Sequence, residues 1–177
     1  GDNMGEPNYC YFLGGNDLEM EVIRALLARY AAGQVADDRL DWHWAKASHY
    51  RSAIEEALRE HQCPVLVELG DDLPETLDRS KLVLVDHHGL AAGHTKLTSL
   101  EQIFALLNLD RARHWTRWFE LVATNDRAHI RGLLAAGATP AEIASVRRLD
   151  RQAQGVTERE EREAQIAIAA RRRLAHG

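Results

Sequence analysis

The chain has 177 residues, 45% of them hydrophobic, with 22 Lys and Arg against 27 Asp and Glu for a net charge of −5. That length suits one domain, or one lobe of a larger protein, with a real core. Interleaved charges leave no global basic footprint for long nucleic acid, so a small anionic substrate would need a local positive field such as a metal ion.

Gly1 to Asn8 reads as a disordered start, and Tyr9 to Leu13 as a first strand closed by the turn Gly14-Gly15. Asp17 to Ala32 carries Met20, Ile23, Leu26, Leu27 and Tyr30 at helical spacing. A polar loop then presents Trp42-His43-Trp44, two aromatics that could stack a nucleobase or cover a core edge. A second helix is expected over Ser48 to His61, a strand over Pro64 to Leu69, and a further strand over Lys81 to Val85. This order predicts an α/β, Rossmann-like fold: a mostly parallel open sheet flanked by helices.

The C-terminal half reads as helix-rich. Thr98 with Glu101, Thr139 with Glu142 and Thr157 with Glu160 have the spacing of capping boxes. They start helices over Ser99–Asn108, Pro140–Leu149 and Glu158–Ala175, and another is expected over Arg113 to Ala123. Trp115, Trp118, Phe119 and Val122 would face the core, with Asp126 closing that helix and Gly137 turning the chain. Residues 9–150 would form the α/β domain, and 151–177 a C-terminal helix connecting to a second domain. Arg147, Arg148 and Arg151 make a local basic patch, read first as a solvated face. Cys10 and Cys63, each beside an apolar strand, are expected as reduced thiols of a cytoplasmic protein, with a disulfide as the alternative. Neither a signal peptide nor a membrane partner is expected, since no apolar stretch reaches membrane-spanning length.

The chemistry gathers at strand ends. Asp86-His87-His88-Gly89 follows the apolar run Leu82 to Val85, the edge where α/β sheets place their sites. Asp17 and Glu19 follow the first strand, Glu68 ends the second, and Asp71-Asp72 lie just beyond it. Hard oxygen donors with one histidine suit Mn²⁺ or Mg²⁺. Two such ions can polarise a phosphorus centre and stabilise a leaving oxygen. Asp17 also reads as a helix N-cap, Glu19 as a first-turn acid, and Asp71 and Asp72 as turn residues. His94, Lys96, Arg127 and His129 lie close enough in sequence to meet a phosphate.

From Tyr9 to Asp126 these motifs resemble the DHH phosphoesterase superfamily, which includes RecJ-type exonucleases, oligoribonuclease and phosphoadenosine phosphatases, and manganese-dependent pyrophosphatases. Leu84-Val85-Asp86-His87-His88-Gly89 carries the likeness most strongly. Asp17-Leu18-Glu19 resembles the family's Asp-x-Asp pair, while Glu68 and Asp126 stand where it has further aspartates. The resemblance implies Asp17, Glu19, Glu68, His87 and Asp126 as metal ligands, with Glu68 bridging. It implies His88 and Asp86 as catalytic, the first meeting phosphate and the second orienting an imidazole. His94, Lys96 and Arg127 would touch substrate. The sequence departs from the family at Leu13, where a histidine is expected, and at the glutamates Glu19 and Glu68. It also has no counterpart of the family's second-domain substrate motif. The expected function is hydrolysis of a small phosphorylated substrate, such as a nucleotide or short oligonucleotide, by a protein compatible with an oligomer. The alternative is a catalytically degenerate module that binds nucleotide or metal in a regulatory or assembly role.

Overall fold

Alternation along three apolar strands builds the centre of the molecule. The computed structural model describes residues 5–86, 97–155 and 158–176. Its sheet contains β1 (Tyr9–Leu13), β2 (Val35–Ala36), β3 (Cys63–Val67) and β4 (Val83–Val85) in the order β2-β1-β3-β4, every pair parallel. Side chains alternate across a strand. Tyr11, Leu13, Val65, Val67 and Val85 therefore enter the larger core, while Phe12 and Leu66 enter a smaller one on the opposite face. Each such buried side chain contributes roughly 1.5–3 kcal/mol.

α1 (Leu18–Tyr30) follows β1 and supplies Met20, Ile23 and Leu27 to the larger core. α2 (Arg51–Arg59) covers the other face with Ile54, and Tyr50 just before it packs there too. The chain then continues through α3 (Ser99–Leu106), α4 (Arg111–His114), α5 (Arg117–Ala135), α6 (Pro140–Ala153) and α7 (Glu158–His176). α1 contacts α3, α5 and α6, so these three helices close over the same sheet face as α1. The expected α/β fold is what the molecule has.

Several boundaries differ from the sequence expectation for physical reasons. β2 is two residues long inside a polar segment, held by register with Tyr11 and Phe12 rather than by an apolar run. The tryptophan-rich helix is two helices, because Thr116 caps α5 by accepting the Phe119 N–H at 3.3 Å. The helix breaks at His129 (φ 52°, ψ −147°), three residues past Asp126, so Asp126 lies in the last turn of its first segment rather than at its very end, and a second helical segment runs on to Ala135. The polar stretch around Asn125 to Arg127 interrupts the apolar spacing, and Leu133 re-enters the core beyond it. Trp115, Trp118 and Phe119 are half-buried and pack against the core rather than within it.

The boxes at Thr98 and Thr139 form as expected, α6 continues through Asp150 to Ala153, and Gly137 makes the turn with φ 78°. Thr157 lies outside the described residues. Cys10 and Cys63 are free thiols, and burial pushes the Cys10 thiol up to about 11. Among the described residues no helix is long and apolar enough to cross a membrane.

Candidate metal centre

The strand order places β1 between β2 and β3, so connections leave the end of β1 and the end of β3 in opposite directions. In a parallel sheet this switch point opens a crevice beyond the carboxyl ends of the strands. Gly14 closes its floor. Its N–H donates to the Val67 carbonyl at 3.0 Å, and a Cβ there would lie 2.4 Å from Leu69 Cδ2 and 3.0 Å from the Glu68 carbonyl oxygen. Only a residue without a side chain lets the two strand ends approach this closely.

Asp17 and Glu19 enter from β1. Asp17 caps α1, its Oδ1 accepting the Met20 N–H at 2.9 Å. Both readings of Asp17 are therefore compatible: a cap keeps lone pairs for another partner. Glu19, in the first turn, is 3% exposed.

Glu68 enters from β3, directly after the strand. Its N–H donates to the Val85 carbonyl at 2.9 Å, and its φ of 53° puts a non-glycine residue in the left-handed region. Such a conformation costs on the order of 1–3 kcal/mol and persists where surrounding structure enforces it. The Glu68 side chain is held by Ser99 at the start of α3, whose Oγ donates to Glu68 Oε1 at 2.5 Å. The next residue, Leu100, gives its backbone N–H to the Glu19 carboxylate. Thus the N-terminus of α3 donates to both buried glutamates, as orphan amides and the helix dipole favour.

The electrostatics do not balance. Burial pushes the Glu19 carboxyl well above its ordinary 4.5, and the charges of Asp126, Asp17 and Glu68 push it further; the Leu100 amide opposes them. Glu19 Oε2 is fully enclosed and has no hydrogen-bond partner among the described residues. A buried acid facing three other acids is an arrangement that either holds a proton or waits for a cation.

Asp126 reaches the cluster from α5, half-buried. Its position is set by its neighbour: Asn125 is 3% exposed, donates from Nδ2 to Asp150 Oδ2 at 3.1 Å and accepts from Arg147 at 3.2 Å. Asp150 Oδ1 accepts the Leu18 N–H at 3.1 Å, so α6 clamps α5 to the start of α1. Spacing alone gives no sign of this clamp, nor of Ser99, whose Thr98 box reads only as a helix start.

The other expected residues divide clearly. Asp86 stands half-buried at the end of β4, beside the cluster's sheet edge. His87, His88, His94 and Lys96 lie outside the described residues. Arg127 is ion-paired with Glu101, which also meets Arg111 at 3.5 Å, so its guanidinium is held by the first turn of α3. Asp71 pairs with Arg79 at 2.9 Å, and Asp72 accepts from Ser48 Oγ at 2.5 Å; both have structural partners. Among the described residues, no three His, Cys, Asp or Glu side chains already converge on one ion position. The four acids share a field without closing a shell.

No protein-family model, no curated protein and no solved structure matches the chain, so the meaning of this acidic crevice rests on its own residues.

Proposed function

We propose that the crevice binds Mn²⁺ or Mg²⁺ and that the protein is a divalent-metal-dependent phosphoesterase acting on a small phosphorylated substrate. One observation carries the reading. Glu19 is buried, has an oxygen with no hydrogen-bond partner among the described residues, and faces Asp17, Glu68 and Asp126 at the switch point of a parallel sheet. This donor set fits a hard divalent cation, whose charge would offset the burial and the neighbouring acids that raise the Glu19 pKa. Asp17, Glu19, Glu68 and Asp126 would hold it, with His87 as the imidazole ligand that the sequence resemblance implies. Bound there, such ions supply Lewis-acid polarisation of phosphorus and charge stabilisation of the leaving oxygen.

The chain's own groups prepare the site. The Leu100 amide anchors the Glu19 carboxylate, and the Ser99 hydroxyl fixes Glu68. Arg127, once turned from Glu101, would bring a cation to the substrate phosphate, and His88 would meet the same group. Asp86 would orient an imidazole.

A second reading is favoured by Leu13, which is wholly buried in the core where a family histidine would ligate. That makes a degenerate module, binding metal or nucleotide without turnover, the competing outcome. Hydrolysis of p-nitrophenyl phosphate and of a dinucleotide, with Mn²⁺ and with EDTA, separates the two. The phosphoesterase reading expects Mn²⁺-dependent turnover that Glu68→Ala lowers by roughly a hundredfold or more. Mn²⁺ or nucleotide binding with no turnover of either substrate would leave the module, and a protein that binds neither would defeat both.

A further inference from the structure

α1 buries one face completely and the stripe beside it only in part. Met20, Ile23 and Leu27 have no exposed surface, whereas Leu18, Val22 and Leu26 keep 6 to 8% and Ala25 is exposed. These last four residues have helical spacing, so they share one side of α1. That side floors a cleft of about 530 Å³ between α1 and the chain from Arg113 to Phe119, a size that suits a small-molecule site.

The opposite wall is aromatic and braced. Trp118 and Phe119 line it from the first turn of α5. The Phe119 ring packs on Phe104 and Trp115, with centroids 6.0 and 5.7 Å away. Trp115 is pinned in turn by the Arg111 guanidinium, 4.3 Å over its ring, and by Glu120, which accepts the indole N–H at 2.8 Å. A wall held in this way needs little reorganisation to receive an apolar body.

Positive charge gathers at one end of the cleft. Tyr30, the last residue of α1, sets its ring edge-on to His114 of α4 at 6.1 Å, and the Arg29 guanidinium lies over the Tyr30 ring at 5.3 Å. Arg113 lines the cleft beside His114. Neither Arg29 nor Arg113 pairs with a carboxylate among the described residues. The acid in the lining, Glu21, stands about 12 Å back along α1 and is taken by Arg24 at 3.2 Å and Arg39 at 3.4 Å. Helix dipoles favour basic residues in a last turn, yet they call for no apolar cleft beneath them.

We propose that this cleft binds a small amphiphilic carboxylate, its apolar body lying on Val22 and Leu26 against Trp118 and Phe119 and its carboxylate held by Arg29 and Arg113. An apolar floor with cations at one end matches a ligand with a single anionic end, whereas an acidic helix would need them along its length. Guanidinium–carboxylate hydrogen bonds are charge-assisted and orient the head, and burial of the apolar body supplies the remaining affinity. The site is separate from the acidic crevice and needs no metal.

The test titrates decanoate and decanol, which share a chain and differ in charge, into the full chain in EDTA at neutral pH, following the indole N–H signals by NMR. Decanoate should saturate and bind about tenfold more tightly than decanol, a difference of about 1.4 kcal/mol. The double variant Arg29→Gln, Arg113→Gln should bring the two within about twofold while leaving decanol affinity unchanged. Ala25→Trp, at an exposed position of α1, fills the cleft and should weaken both ligands by roughly tenfold or more. Absence of saturable decanoate binding, equal affinities in the wild type, or undiminished binding in Ala25→Trp would overturn the proposal. A chain that sediments as a dimer, and as a monomer in Ala25→Trp, would give the cleft to a second copy and overturn it as well. Decanoate binding by a protein that takes up no Mn²⁺ would keep the cleft and reject the metal centre. Mn²⁺ binding without decanoate binding would do the reverse.

Discussion

Glu19 and Glu142 both meet the N-terminal end of a helix, and their environments drive them in opposite directions. Glu142 completes the box on α6, accepting the Thr139 N–H at 2.9 Å, and takes a bidentate Arg117 guanidinium at 2.7 and 3.0 Å. Its hydrogen bonds to Arg117 hold its carboxyl far down, at about 2. Glu19 also accepts an amide from a helix start, yet burial and three neighbouring carboxylates push it up. One acid is matched by its surroundings and the other is set against them. The mismatch coincides with the left-handed Glu68 and with the sheet's switch point. Local conflict that a fold retains is expected at sites of function.

The strongest way to break this comparison is to neutralise each acid in the metal-free protein. Glu19→Gln removes a buried carboxylate from three others and should raise stability to urea by about 1–2 kcal/mol. Glu142→Gln should lower it, because Arg117 loses its charged partner. Stability that falls in Glu19→Gln would mean that the cluster is a structural network rather than a site awaiting a cation. Next in size, Thr139→Ala should cost about 1 kcal/mol in the same denaturation, as loss of a threonine N-cap does. An unchanged midpoint would show that the box on α6 contributes nothing.

The smallest expected effect sharpens the contrast through pH. Because the Glu19 pKa is raised in the folded protein, the folded state holds a proton that the unfolded chain releases above about 4.5. The Glu19 contribution to stability is thus full below that pH and declines as pH rises towards the folded pKa. Glu142, depressed to about 2, contributes in the opposite sense: fully above about 4.5, and lost as pH falls towards 2. In EDTA the melting temperature should therefore drift down from pH 5 to pH 8, less steeply in Glu19→Gln. Identical slopes in the two proteins would remove Glu19 as the cause.

Much of the architecture was legible because apolar runs and capping threonines announce themselves. β1, β3 and β4, and the starts of α3 and α6, follow from Tyr9 to Leu13, Val65 to Val67, Val83 to Val85, Thr98 and Thr139. The approach of Asp17 and Glu19 to Glu68 was also legible, since acids at the ends of paired parallel strands meet at one edge of the sheet, whereas Asp126 comes from a helix and was pointed to only by the family resemblance. Other features depend on contacts between distant segments. β2 exists only through register with β1, and the course of α5 past Asp126 is hidden by its polar centre. Ser99 looked like an ordinary first helical residue, and Gly15 like an ordinary turn, until Glu68 and Trp42 were found against them. Asp150 sits 132 residues from the Leu18 amide that it caps, a separation that no local pattern bridges.

The central claim is that Glu19 is buried among acids in order to meet a cation. Calorimetric titration of Mn²⁺ into the full chain and into Glu19→Gln, at the same pH above neutrality, tests it most directly. Saturable binding by the wild type, weakened by roughly tenfold or more in Glu19→Gln, is the predicted result. Absence of binding to the wild type, or equal affinity in the two proteins, would contradict it.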